Sequence, residues 1–401
     1  MPRRRFACGV FYLGQISDSD ERYMQKALQL ARCGAGTASP NPMVGAVVVS
    51  DGRIVGRGYH ARPGSPHAEV LALDEAGEAA RGATLYVTLE PCVHWGRTPP
   101  CTETIIGRGI RRVVAAMEDP DERMRGRGLR RLAEAGIETA VGAVWGGASQ
   151  LNEAYIKHRT TGLPFVTAKW AMTLDGRIAT RAGDSRWISG AASRALVHEV
   201  RAASDAILVG IGTVLQDDPR LTARGETPRE PARVVLDSTL RIPPNARVLA
   251  RDGAPVIVAT TSRASPLARE ILERQGVEVC VADGPGGRVD LKPVLETLGR
   301  RGVMSLLVEG GGIVHGAFVD AGLVDKVLAF VAPVLVGGPG PRPVGGAGVE
   351  TLARAWRLAR PVVRQMEQDV VIEGYLVPPP WDPETGSGRA GEGRAQCLPA
   401  S

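Results

Sequence analysis

The sequence predicts an α/β protein built as two consecutive domains, and three observations carry that expectation. The chain has 401 residues, more than one hydrophobic core usually organises, and 44% of them are hydrophobic, enough to fill two cores. Short apolar runs bounded by glycine, proline and polar residues alternate with amphipathic helical stretches in both halves. A polar segment at 152–163, NEAYIKHRTTGL, ends in Gly-Leu-Pro and reads as the linker between them.

The elements follow in order. Residues 1–18 hold a basic start and an apolar run too short to be decisive, and are expected to be an extension outside the fold. SDERYMQKALQLARCG at 19–34 puts Met24, Ala27, Leu28 and Ala31 on one helical face. Val44–Val49 reads as a strand turned by Asp51-Gly52 into a second at Arg53–Tyr59. A helix carrying His67 and Glu69 follows, then a strand at Thr84–Leu89, a helix opened by Cys101 and a strand at Arg112–Met117. A helix at Gly128–Ala135 and a strand near 137–140 complete a three-layer α/β domain over 19–160. In the second half, 163–378, a strand at Phe165–Ala168, a loop at Gly183–Ser189, a helix at Ser193–Ala203 and a strand at Ala206–Val209 come first. Strand signals recur at ARVVLDS, PVIVAT, VEVCVA, SLLVEGGG and KVLAFVAP. The tail, 379–401, is rich in Pro, Gly and charge without periodicity and is expected to be disordered; no internal repeat is evident.

Composition excludes several classes. The formal charge is +6, but only five of the 49 basic residues are Lys and acids are mixed among the arginines, as on a solvated surface. Aromatics are 4% of the chain, too few for the stacking platforms of a nucleic-acid binder. No stretch approaches the ~18 uninterrupted apolar residues of a membrane span. Six Cys at uneven spacing do not form a secreted disulfide framework, and Cys33 and Cys280 read as small buried hydrophobes.

Residues 67–101 carry the chemistry. His67, Cys92 and Cys101 offer one imidazole and two thiolates, a set suited to one tetrahedral Zn²⁺ with its fourth position left to water. Glu69, one residue removed from the histidine and not itself a ligand, is placed to carry a proton between that water and a leaving amine. His67 and Cys101 fall where helices begin, which favours anions there. The alternative, a buried histidine beside two unrelated cysteines, loses weight because H-x-E together with P-C is a zinc deaminase signature. His94 would close the site as a fourth ligand and is assigned instead to the pocket wall. Asn41 and His60 have donor and acceptor groups in loops near strand ends, although Asn41 can equally cap the turn between its prolines. Gly210–Thr213 and Gly310–Gly312 each follow an apolar strand, where glycine lets backbone amides approach a phosphate; neither fits G-x-G-x-x-G, and a plain turn explains each as well.

PNPxVG, GYH, HAE, TLEPC and HxGRTPPC together resemble the deaminase half of the bifunctional riboflavin-biosynthesis deaminase/reductase family. KWAMTLDGRIAT, GDSRWIS, VGIGTVLQDDPRLT, VLDS and VEGGG, in that order, resemble its reductase half, so the likeness spans roughly residues 20–378. One departure is Val93, where Ser or Asn is expected; it is not a ligand position. The resemblance implies a cytidine-deaminase-like domain followed by a dihydrofolate-reductase-like α/β domain using NADPH. It implies that Ala171, Trp187, Thr213, Asp217, Ser238, Gly311 and Gly312 line the dinucleotide. Asn41, His60, Lys169, Ser185, Arg201, Leu221, Arg224 and Glu309 are then expected to bind substrate, and Arg201 and Arg224 suit phosphate forks. The implied reactions are hydrolytic deamination of a diamino-ribosylamino-pyrimidinone 5′-phosphate, then reduction of its ribosyl group. A cytoplasmic homo-oligomer acting on small phosphorylated pyrimidines, with no nucleic acid or membrane partner, is the expected setting. The rivals are a nucleic-acid-editing deaminase, against which the aromatic content counts, and a scaffold with structural zinc, against which the intact Glu69 counts.

Overall fold

A computed structural model describes residues 15–95, 99–223 and 230–377. The terminal extension up to residue 14, the tail from 378 and Arg224 therefore lie outside the described residues.

The first unit comprises α1 (Asp18–Ala31), β1 (Gly45–Ser50), β2 (Arg53–Tyr59), α2 (Ala68–Ala76), β3 (Thr84–Val87), α3 (Cys101–Gly107), β4 (Arg112–Ala115), α4 (Arg127–Glu134), β5 (Glu138–Val141), α5 (Trp145–Leu151) and α6 (Glu153–Thr161). The expected extension through residue 18 ends earlier. Ser17 and Asp20 form a reciprocal capping box that starts α1 at Asp18, and the Gln15 carbonyl accepts from Arg112. Cys33, expected inside, is exposed, because it falls off the Met24, Ala27, Leu28, Ala31 stripe in a short turn after α1; Cys280 is only partly buried.

The strands form one sheet in the order β2-β1-β3-β4-β5, with β1–β2 and β1–β3 antiparallel and the rest parallel. Alternation along β1 decides the layers. Val47 and Val49 join Met24 and Leu28 of α1 and Tyr155 and Ile156 of α6, whereas Ala46 and Val48 join Leu73 of α2, Ile105 of α3 and Leu129 of α4. Each fully buried Leu or Ile in such a layer contributes about 2 kcal/mol. Two glycines of β2 set where α2 lies, since a Cβ on Gly56 or Gly58 would stand 2.0 or 2.2 Å from a helix carbonyl, of Ala72 or Ala68. That close approach brings the N-terminus of α2, and with it His67, to the C-terminal edge of β3.

The expected polar linker at 152–163 is instead helix α6. Its polar residues mask a helix with two partners: Tyr155 and Ile156 point into the first core, while Lys157 and Glu153 reach across to Asp325 and Lys326 of the second unit.

That unit comprises β6 (Phe165–Thr173), α7 (Ala191–Ala203), β7 (Ala206–Gly210), α8 (Ile211–Asp217), β8 (Ala232–Leu236), β9 (Val256–Thr260), α9 (Pro266–Arg274), β10 (Glu278–Val281), α10 (Leu291–Arg300), β11 (Ser305–Val308), α11 (Gly312–Asp320), β12 (Lys326–Ala332), β13 (Ala359–Met366) and β14 (Asp369–Tyr375). Its sheet runs β10-β9-β8-β7-β11-β6-β12-β14-β13, parallel from β10 to β12 and closed by the antiparallel β14 and β13. The terminal hairpin leaves little signal in the sequence, because β13 is exposed along nearly its whole length and shows no buried alternation. β6 runs nine residues rather than four, so Lys169 and Ala171 lie within a strand. Among the described residues no helix is long and apolar enough to cross a membrane.

Candidate active sites

The first site forms where α2 and α3 begin. His67 is the residue before α2 and Cys101 is the first residue of α3; Cys92 lies in the loop after β3. His67 Nδ1 is 3.1 Å from Cys101 Sγ and 3.6 Å from Cys92 Sγ, and the three ligand atoms lie within 4.8 Å of one another. Ligands held 2.0–2.3 Å from one tetrahedral ion stand about 3.5–3.8 Å apart; the His67–Cys92 separation matches this and the His67–Cys101 separation is a few tenths shorter, so the donor set suits zinc in chemistry and lies close to it in spacing. A hydrogen bond with Cys101, joined by His67, pulls Cys92 down to about 4 despite its burial. The same contact, with burial, pushes the Cys101 thiol up, and Cys92 raises His67. A cation between the sulfurs would hold both as thiolates.

Glu69 sits in the first turn of α2, 4% exposed, and its burial pushes the carboxyl above the usual carboxylate range while the His67 charge opposes that shift. A carboxyl that takes up protons readily beside a metal site suits general acid–base work. Asn41 and His60 come together here: Asn41 Nδ2 is 2.9 Å from His60 Nε2, and the His60 ring stacks edge-on to His67 with centroids 5.4 Å apart. His60 Nδ1 is 3.3 Å from the Pro66 carbonyl, so the tautomer with Nδ1–H donating leaves Nε2 to accept from Asn41. Burial lowers the His60 pKa and favours that neutral form. His94 is exposed, pairs with Met124 Sδ at 3.2 Å and stands apart from the three ligands.

The second site is a cavity of about 810 Å³ at the carboxyl ends of the parallel strands, where open α/β sheets take their ligands. It gathers nine expected residues: Lys169 and Ala171 of β6, Ser185 and Trp187 of the following loop, Arg201 of α7, Thr213 and Asp217 of α8, Leu221, and Glu309 after β11. Arg201, expected to be a free phosphate fork, is already engaged. Its Nε and Nη2 donate to the two oxygens of Glu309 at 2.8 and 2.5 Å, a bidentate pair that leaves only the outer edge of the guanidinium for a ligand. Burial opposes the charge on Glu309, but Lys169 and Arg201 outweigh it and hold the carboxyl below its ordinary value. Burial also lowers the Lys169 ammonium, against the pull of Glu309.

Ser238, Gly311 and Gly312 are not among the residues lining the cavity. Ser238 lies two residues beyond the end of β8, its carbonyl accepting from the Thr261 hydroxyl. Gly312 is glycine for packing, since a Cβ there would stand 2.4 Å from the Arg342 carbonyl. Gly311 has an ordinary φ of −76° and nothing within 4 Å of a Cβ, so neither turn geometry nor neighbours require glycine. Arg194 and His198, not singled out from the sequence, line the cavity with Arg201, and their i, i+4, i+7 spacing along α7 is the signal in the sequence that points to them. Arg194 lies over the ring of Trp187, 4.8 Å from its centroid.

Fold and first site together define a cytidine-deaminase-like zinc domain, carried ahead of a second α/β domain with its own ligand cavity. The family model for the cytidine and deoxycytidylate deaminase zinc-binding region matches residues 17–117, and that for the RibD C-terminal domain matches 164–372. The riboflavin biosynthesis protein RibD of Aquifex aeolicus is 44% identical over 358 residues, 89% of this chain and 98% of that one; the Escherichia coli RibD is 41% identical over 368 residues, 88% and 98%. The solved structure of Acinetobacter baumannii RibD superposes with a TM-score of 0.81 at 38% identity, covering 89% of this chain and 98% of that one. A Thermotoga maritima structure described as a diaminohydroxyphosphoribosylaminopyrimidine deaminase/5-amino-6-(5-phosphoribosylamino)uracil reductase gives 0.78 at 37%, with the same coverage. The chain belongs to the RibD family.

Proposed function

We propose that this chain is a bifunctional enzyme of riboflavin biosynthesis. It deaminates 2,5-diamino-6-ribosylamino-4(3H)-pyrimidinone 5′-phosphate and then reduces the ribosyl group to give 5-amino-6-ribitylamino-uracil 5′-phosphate. The observation that carries this reading is the pair of sites on one chain: a His–Cys–Cys cluster with a buried carboxyl beside it, and a cavity built around Lys169, Arg201 and Glu309.

In the first step His67, Cys92 and Cys101 hold zinc, which when bound polarises a water and makes it a nucleophile near neutral pH. Glu69 takes the proton of that water and returns it to the amine, so that a C–O bond forms, the C–N bond breaks and ammonia leaves. Asn41 and His60 orient the pyrimidine edge. In the second step NADPH, when bound, supplies the hydride for C1′ of the open-chain imine form. Ala171, Trp187, Thr213 and Asp217 line the cofactor's part of the cavity, and Ser185, Leu221 and the Lys169–Glu309–Arg201 group hold the substrate, with Gly311 at the open start of α11 and Ser238 extending the surface. The division into a deaminase unit over 19–160 and a reductase unit over 163–378 belongs to this reading.

The enzyme acts as a cytoplasmic homo-oligomer in this reading. Reduced thiols suit that compartment, and the outer edge of β13, with Val362 and Val363 49% and 65% exposed, suits burial against a second copy. The deciding experiment supplies the purified, zinc-loaded chain with the diaminopyrimidine phosphate and follows ammonia release and NADPH oxidation. Ammonia release followed by stoichiometric NADPH consumption is expected; NADPH consumption without ammonia release would remove the deaminase assignment.

A further inference from the structure

TLEPC supplies a cysteine to the first site, but its glutamate takes no part in the chemistry above. Glu90 is 4% exposed, and four backbone N–H groups donate to its carboxylate. Asp119 and Gly126 reach Oε2 at 3.0 and 2.9 Å, and Gly128 and Leu129 reach Oε1 at 2.7 and 3.3 Å. Gly126 precedes α4 and offers no side-chain cap, so Glu90 supplies from another element the acceptor that the first turn lacks. A Cβ on Gly128 would stand 2.0 Å from the Pro91 carbonyl oxygen, so α4 begins flush against the peptide that leads into Cys92. Between the two ends of this clamp, Met124 turns back to His94, two residues beyond Cys92. On its other side the Cys92 carbonyl accepts from Thr102 N and Oγ1, both at 3.2 Å.

We propose that Glu90 is a positioning residue of the deaminase centre: by gathering four amides of 119–129 it makes that segment and Cys92 one body, and so sets the geometry of the metal thiolate and of the loop through His94. The inference rests on the deaminase reading given above.

The test uses the full-length chain and Glu90→Gln. A carboxamide presents one acceptor oxygen and one NH₂ group, so one of the two pairs of amide donors is left facing another donor. Residues that orient metal ligands typically contribute 10–100-fold, so a fall of about tenfold or more is expected both in zinc affinity, by chelator competition, and in deamination kcat per bound zinc. The visible spectrum of the cobalt(II)-substituted chain should change. Reduction of the deaminated intermediate should keep its wild-type rate. Gly128→Ala leaves the carboxylate intact but pushes α4 off Pro91, and should reproduce the same deamination-specific loss; it decides the matter if Glu90→Gln does not fold. A wild-type cobalt spectrum with wild-type kcat per metal in Glu90→Gln would overturn the proposal, as would a lowered unfolding temperature alone. Failure of the wild-type chain to release ammonia would instead remove the deaminase reading, a different outcome from wild-type behaviour of the variants.

Discussion

Arg201 and Glu309 form the most exacting electrostatic arrangement in the second site, and Arg201→Met isolates it. The side chains are 19% and 7% exposed, and the guanidinium donates to both carboxylate oxygens. Methionine keeps much of the apolar stem but leaves a buried carboxylate with Lys169 as its main remaining cation. Removing one partner of a buried pair costs about 3–5 kcal/mol, against roughly 1 kcal/mol or less for an exposed pair. About 3 kcal/mol is roughly a hundredfold in the folding equilibrium, and some 6–12 °C for a domain of this size. The sign with pH follows from the direction of each shift. In the wild type the folded carboxyl of Glu309 is held below its ordinary value, so its contribution is fully present above the unfolded carboxylate pKa of about 4.3 and is lost as pH falls through the folded value. In Arg201→Met burial prevails and the folded pKa rises, so the group stabilises below about 4.3 and that stability is lost as pH rises through the raised value. Calorimetric unfolding between pH 5 and 8 should therefore give a nearly flat Glu309 contribution in the wild type and a falling one in the variant. Adding Glu309→Gln to Arg201→Met should abolish the fall. A variant within 1 kcal/mol of wild type at pH 8, with the same pH slope, would refute the reasoning.

Three further outcomes are expected. Cys101→Ala should lose most of its zinc in elemental analysis, since two remaining ligands cannot complete the set; full occupancy would exclude Cys101 as a ligand. Glu69→Gln should keep zinc and the ability to reduce the deaminated intermediate while losing deamination by at least about a hundredfold, the usual scale of general acid–base catalysis; retained ammonia release would assign the proton transfer elsewhere. Gly311→Val should fold normally, because nothing stands within 4 Å of its Cβ, yet weaken NADPH in a fluorescence titration, whereas Gly312→Ala should lower stability because of the Arg342 carbonyl at 2.4 Å; unchanged NADPH affinity in Gly311→Val would remove that turn from the cofactor surface.

What the sequence determined by itself was local and chemical. Short apolar runs between turn residues marked the strands of the first unit to within two residues, because most of these strands are covered by helices on both faces and so are apolar nearly throughout. H-x-E with P-C marked the metal site because few other uses combine one imidazole, two thiols and a non-ligand carboxylate at that spacing. Tertiary structure decided what depends on partners distant in the chain. Helix α6 read as a linker because its charges, solvated in any local view, are spent on Asp325 and Lys326 in the other unit. The exposed β13 had no buried face to announce it. Arg201 and Glu309, 108 residues apart, are each legible in the sequence only singly, and the fold alone shows them paired with each other; Glu90 shows no role in the sequence, and only the fold brings four amides of 119–129 to it. A carboxylate's role is set by the donors that reach it, and those are chosen by the packing of elements rather than by its neighbours in sequence.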